Sequence, residues 1–325
     1  MAPTRPLDPA KKKKQHIVPQ SYLRAWVDDC EQLRAIMRDP KKPDHDFIVT
    51  NVRDAASQNY FYAVRAADGT RLDDVEDALS VFDDMIPKIV SRATVDATHS
   101  QPTVDNLRYM YANFAARSEL GRDMLVDSIA AMRAKAERMF EDEFPGQSAS
   151  DNIEEIDDLV RDVWEHPDRY APDPHTISRL AILPRADDLY AMMPRYACIV
   201  ESKHLEFFTS DAPFAAFDPS HPPDGSGVYG VAYDKPRVEL TLPLGRRHAV
   251  LFGNVPMPLR ATISPAGAAV INARTVFFAR RSIYTHNSEE VTTLAWFHIE
   301  HYRECFHKSL LDAVEEENAR VTLGK

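Results

Sequence analysis

Residues 196–214 read YACIVESKHLEFFTSDAPF. Two short apolar runs, Tyr196–Val200 and Leu205–Thr209, are separated by polar residues of the kind that make turns, which predicts antiparallel strands. Runs of the same character follow at Val238–Leu242, Ala249–Phe252, Arg260–Ile263 and Thr275–Ala279. A strand-rich part therefore spans residues 196–285, and its sheet needs other elements to cover it.

The period changes on the N-terminal side of that stretch. Leu72, Val75, Leu79, Phe82 and Ile86 fall at helical spacing, and Pro87 predicts a kink or an end. Pro102 marks another helix start, with Leu107, Met110 and Phe114 on one face. A long helix is expected through Leu125, Ile129, Met132, Ala136 and Met139, and one more through Ile156, Leu159, Val163 and Trp164. The helical middle thus covers residues 72–193. Shorter, strand-like patterns lie earlier, at Leu33–Met37, Phe47–Val52 and Asn59–Val64. A terminal helix over 288–318 has Val291, Leu294, Trp296, Phe297, His301, Cys305 and Leu310 on its apolar side. The expected class is α+β: a helical block packed on a mostly antiparallel sheet from the C-terminal half, with a C-terminal helix. Residues 1–15 read as a disordered basic tail, with Lys11–Lys14 in a row. Residues 16–325 read as a single domain.

Charge and cysteine use narrow the function classes. Against 39 Lys and Arg stand 50 Asp and Glu, a net charge of −11, so a phosphate backbone is repelled at long range and any nucleic-acid contact needs a local basic patch. Cys30, Cys198 and Cys305 are odd in number and far apart, which argues against a disulfide framework or zinc knuckle and for a reducing, cytoplasmic setting. No apolar run is long enough to span a membrane. Walker A, GxGxxG, HExxH and the protein-kinase motifs are absent. His298, His301 and His307, on the terminal helix, read as structural.

Three polar clusters could carry chemistry. The first is His16, Gln20, Tyr22 and Arg24, in HIVPQSYLRAW from His16 to Trp26. His16 before Ile-Val-Pro resembles the start of a ββα-metal nuclease motif, although here the chain runs straight into a helix after Pro19. A neutral imidazole near pH 7 can take or give a proton; alternatively, His16 tethers a helix start. The second cluster is FFTSDAPF from Phe207 to Phe214, where an apolar strand ends in Thr209, Ser210 and Asp211. Ser210 lacks the nucleophile elbow, so Asp211 is the stronger candidate, as a metal ligand or as the group that orients a histidine. The plain alternative is a turn closed by Ser and Asp on their own backbone. The third is Arg117 and Arg122 in RSELGR, which could clamp an anion or simply end a solvated helix. Asn272, near the last predicted strand, holds a loop or touches substrate. The Pro/Gly/Ser loop Asp218–Gly227 is of the kind that flanks a site.

The order of HIVPQSYLRAW, NYFY, VEDALSVFDD, FAARSELGR, FFTSDAPF, LTLPLGRRHAVLF and INARTVFFARRSIYTH resembles the bacterial domain-of-unknown-function family DUF4238, over residues 16–285. The resemblance implies a cytoplasmic α+β protein. It implies little about mechanism, since the family has no established activity. Its motif positions fall here on His16, Pro19, Gln20, Tyr22, Leu23, Arg24, Tyr62, Glu76, Arg117, Ser210, Asp211, Pro213, Pro243 and Asn272. The chain departs from the pattern in having no Gln within Asn113–Ala116, and in having Arg195 and Tyr196 where a Trp is usual.

Two functions compete, beside a third in which the chain is a partner subunit whose activity lies in another chain. In one, the chain is a phosphodiester hydrolase of nuclease type, serving as a toxin or phage-defence effector. His16 and Asp211 are then catalytic, Gln20, Arg24, Arg117, Ser210 and Asn272 hold nucleic acid or a small phosphorylated ligand, and a divalent metal ion is the candidate cofactor. In the other, the chain is a non-catalytic ligand-sensing or protein-interaction module whose motifs are architectural. Burial decides between them: a shared hollow favours the first, and buried, mutually bonded motif residues favour the second.

Overall fold

The computed structural model describes residues 14–37, 47–65, 71–95, 101–123, 178–220, 233–286 and 308–322, with a few helical positions between 125 and 138. Most of the basic tail, the helix expected around 156–164, most of the 218–227 loop, and His298, His301, Cys305 and His307 lie outside the described residues.

Prolines set several of the boundaries. Strand β1 (Lys14–His16) runs into Pro19, whose extended backbone precedes the short helix α1 (Gln20–Leu23), followed by a 3-10 turn at Arg24–Trp26. Strands β2 (Gln32–Met37), β3 (Ile48–Asn51), β4 (Ser57–Asn59), β5 (Val64–Arg65) and β6 (Arg71–Leu72) follow. The amphipathic run then divides into α2 (Asp74–Asp83) and α3 (Ile86–Thr94), with Pro87 in the first turn of the second. Proline has no N–H to give there, so it starts a helix and cannot continue one. Helix α4 (Gln101–Arg117) is buried on all sides through its C-terminal half, from Met110 to Arg117. Helix α5 (Ile182–Met192) packs along it.

Four of the strands expected after Tyr196 are present, as β7 (Tyr196–Ser202), β10 (Glu239–Pro243), β11 (His248–Gly253) and β12 (Arg260–Ile263). Of the expected strand Leu205–Thr209 only Thr209 is in a strand, β8 (Thr209–Ser210), because the Leu205, Phe207 and Phe208 N–H groups go to Ser202, the Arg246 carbonyl and Asn272. Strand β9 (Ala215–Phe217) was not expected. A further expectation is overturned. Thr275–Ala279 is no strand, because Thr275–Phe278 ends helix α6 (Pro265–Phe278), which starts with Ser264 accepting the Gly267 N–H and Pro265 in the first turn. The helix is apolar on nearly all faces because it is buried on nearly all faces, and a fragment of such a helix cannot be told from a strand by pattern. Strand β13 (Ser282–Thr285) and helix α7 (Leu310–Thr322) complete the described elements.

The main sheet has the order β12-β7-β11-β10-β9 and is antiparallel except for the parallel β12–β7 edge pair. Side chains alternate between its faces. Ile199, Leu240, Leu242, Val250 and Phe252 face α3 and α4, while Cys198, Val200, Ala249, Leu251 and Ile263 face α6 and α7. A second, four-stranded sheet of order β3-β2-β13-β8 joins the N-terminal strands to the TSD strand. The class is α+β, as expected, but the sheet content is not confined to the C-terminal half. Burial also pushes the Cys198 thiol up to about 12, away from reactivity. No described helix is long and apolar enough to cross a membrane.

Candidate functional site

Arg117, at the end of α4, is the centre of one polar knot. Its side chain is 1% exposed, and every nitrogen of the guanidinium is used. Nε donates to the Tyr62 hydroxyl oxygen at 3.1 Å, Nη1 to Asp83 at 2.6 Å, and Nη2 to the His16 carbonyl at 2.7 Å. Burial acts to lower its pKa, but Tyr62 and Asp83 outweigh that and leave it raised. Tyr62 in turn donates to the His16 carbonyl, and its N–H donates to the Gln15 side chain. The HIVPQ, NYFY, VFDD and RSELGR segments therefore meet at one guanidinium. Gly121 belongs to the same corner: a Cβ there would stand 2.1 Å from the Ala115 carbonyl oxygen, so only glycine lets the chain turn this closely under α4.

The His16 main chain is held by this knot, while its ring points elsewhere. Nε2 lies 3.0 Å from the Arg53 carbonyl oxygen, and Lys14 beside it pairs with Asp54. Burial, then the charges of Arg117 and Lys14, lower the imidazole pKa against the pull of the Arg53 bond and Asp83. The ring is neutral at pH 7. Next to it, Ala56 and Tyr60 hold left-handed backbone, φ 44° and 57°. Ala56 accepts the Ile17 N–H and donates to the Tyr284 hydroxyl, which fixes that conformation.

Asp211 centres a second knot. Its carboxylate is 5% exposed and accepts the N–H groups of Arg280 at 3.0 Å, Arg281 at 2.8 Å and Ser282 at 3.5 Å. Successive amides of this kind form an anion-binding nest, and here the protein's own carboxylate fills it. Burial pushes the Asp211 carboxyl up to about 6 despite these donors, with Glu119 adding to the rise. Ser210 Oγ accepts the Ala212 N–H and closes the turn. Asn272 Oδ1 accepts the Phe208 N–H while its amide donates to the Glu206 carbonyl, so it holds the loop before the strand.

The two knots are neighbours joined by structure. Tyr22 donates to the Pro243 carbonyl and accepts from Thr209, and Trp26 donates to the Phe207 carbonyl. Arg281 pairs with Glu119 through two bonds, and Arg280 with Asp123. No described bond joins the His16 ring to Asp211. Gln20 is half-buried and Arg24 exposed, four residues apart on one short helical segment. Among the described residues no group of three or more His, Cys, Asp or Glu could hold a metal ion. Asp83 escaped the sequence reading, though its signal was there in VFDD. So did a buried pair, Glu239 with Arg274, although Arg274 lies within the INARTVFFARRSIYTH segment.

The model of DUF4238, described as a protein of unknown function, matches residues 14–289. The chain belongs to the DUF4238 family. The DUF4238 match includes every residue of both knots and stops before α7. No curated protein and no solved structure matches the chain.

Proposed function

We propose that this DUF4238 chain is a non-catalytic ligand-sensing or protein-interaction module. One observation carries the proposal: Asp211, the candidate catalytic carboxylate, has both oxygens occupied by backbone N–H groups of residues 280–282 in a nearly closed site. A carboxylate so engaged has little capacity left to bind a metal or steer His16. Ser210, Asn272 and Arg117 are likewise buried and bonded to the chain itself. What the motif leaves at or near the surface is donor-bearing: the half-buried Gln20 and the exposed Arg24. Such a face suits an acceptor-rich partner, a small phosphorylated ligand or a nucleic-acid segment.

The hydrolase reading retains one supporting observation, the half-exposed neutral imidazole of His16, which could act as a general base. Wild type and His16→Ala, incubated with RNA, single-stranded DNA and duplex DNA with and without Mg²⁺ or Mn²⁺, separate the two. The module predicts no cleavage by either protein. Cleavage by wild type that is lost in His16→Ala would replace the module with a nuclease.

A further inference from the structure

Away from both knots, at one edge of the five-stranded sheet, lies a hollow of about 180 Å³ lined by Ile199, Glu201, His248, Arg260, Ala261 and Thr262. Strand register builds it. His248 on β11 and Thr262 on β12 both stand opposite Glu201 on β7, so the three share a row. Arg260 stands opposite Ile199, two residues back along the same face. The spacing of strands and residues puts the Glu201 and Arg260 backbones about 8 Å apart. Ile199 supplies an apolar floor between them.

The charges are arranged to favour one kind of ligand. Glu201 is exposed, and its carboxylate makes no hydrogen bond or ion pair with another described side chain. Arg260 donates to the Ala93 and Thr94 carbonyls at the end of α3, which fixes its guanidinium at the opposite side of the hollow. A bare cation would be repelled by Arg260 and a bare anion by Glu201. Burial holds the His248 imidazole below its ordinary pKa, so it is a neutral polar group between them. At 180 Å³ the space is smaller than the roughly 300–1,000 Å³ that houses drug-sized ligands.

We propose that this hollow binds a small zwitterion of the α-amino-acid type, its ammonium on Glu201 and its carboxylate against Arg260 and Thr262. Glu201 accepts the ammonium protons, the Thr262 hydroxyl donates to the carboxylate, and Ile199 packs under the aliphatic part. The site is separate from the Gln20–Arg24 face and stands without it. Ligand-observed NMR and calorimetry on the full chain test it, with the common L-amino acids offered singly and acetate and methylamine as half-ligand controls. At least one amino acid should bind saturably, with neither control doing so at the same concentration. Glu201→Gln, at an exposed position, should weaken that binding about tenfold or more with an unchanged melting temperature, and Arg260→Gln should weaken it similarly. Arg24→Ala should leave it intact, which separates this site from the other face. Failure of every amino acid to bind, or binding that survives Glu201→Gln unaltered, overturns the proposal.

Discussion

Arg117 and Arg274 are both buried on helices and both paired with a carboxylate at 2.6 Å, yet they are held in opposite ways. Arg117 spends all three nitrogens on Asp83, Tyr62 and the His16 carbonyl, and Asp83 still reaches solvent at 22% exposure. Arg274 and Glu239 are both fully buried, and a single nitrogen, Nη2, donates to Glu239 and to the Lys308 carbonyl. Its Nε and Nη1 have no hydrogen-bond partner, and the guanidinium lies 4.5 Å from the Phe217 ring centroid. The ring face supplies part of the missing stabilisation. Burial lowers the Arg274 pKa, with Glu239 opposing it, whereas Arg117 ends raised. Burial alone therefore does not set the state of a charge; the number and placement of its acceptors do.

That contrast is easiest to break at Glu239. Glu239→Ala removes the acid from Arg274 and the acceptor from the Ser309 hydroxyl and the Leu310 and Leu311 amides. We expect a loss of about 3–5 kcal/mol in urea unfolding, since a buried charge is stranded. A loss below about 1 kcal/mol would mean that Arg274 finds other acceptors.

Asp211 sharpens the comparison as a carboxylate held by amides without a cation of its own. Its folded pKa, about 6, lies above the ordinary carboxyl value. The native state therefore holds the proton more tightly than the unfolded chain does. This contribution is fully present below about pH 4 and is lost as pH rises through 6, by at most about 3 kcal/mol. Asp211→Asn cannot titrate, so the stability of wild type relative to this variant should fall between pH 4 and 7. A flat difference would show that the three amides cancel the effect of burial.

Asp83→Ala should cost about 2 kcal/mol, less than Glu239→Ala, because Arg117 keeps the His16 carbonyl and Tyr62 and water can replace the lost acid. Equal costs for the two would remove the distinction drawn here. The smallest effect belongs to Arg24→Ala, within about 0.5 kcal/mol by thermal unfolding, as its side chain is exposed.

Legibility in the sequence followed locality. β7, β10, β11 and β12 could be read from alternation and turn residues, and α2 from spacing, because those signals lie within a few residues; Pro87 was read as a kink or an end, and α3, which it begins, was not foreseen. Helix α6 was missed altogether, and its last turn read as a strand, because burial on nearly all sides erases the amphipathic stripe that marks a helix. The motif residues could be chosen from the sequence, yet their roles could not. Whether Asp211 faces a hollow or three amides depends on residues 70 positions away. The same holds for Glu201, His248 and Arg260, ordinary polar residues on three strands until register sets them side by side. The Glu239–Arg274 pair hid inside two apolar runs for the same reason.

The Glu239 carboxylate also caps the start of α7, beyond the stretch shared with the family, and Leu310, Leu311 and Val314 of that helix cover the sheet beside it. A chain without this helix would display an apolar patch and a buried acid stripped of its amide donors, both marks of a damaged chain to chaperones and proteases. One helix and the carboxylate that caps it would thus guard the outer face of the sheet together, and faster digestion of residues 1–307 than of residues 1–325 in pulse proteolysis would reveal it.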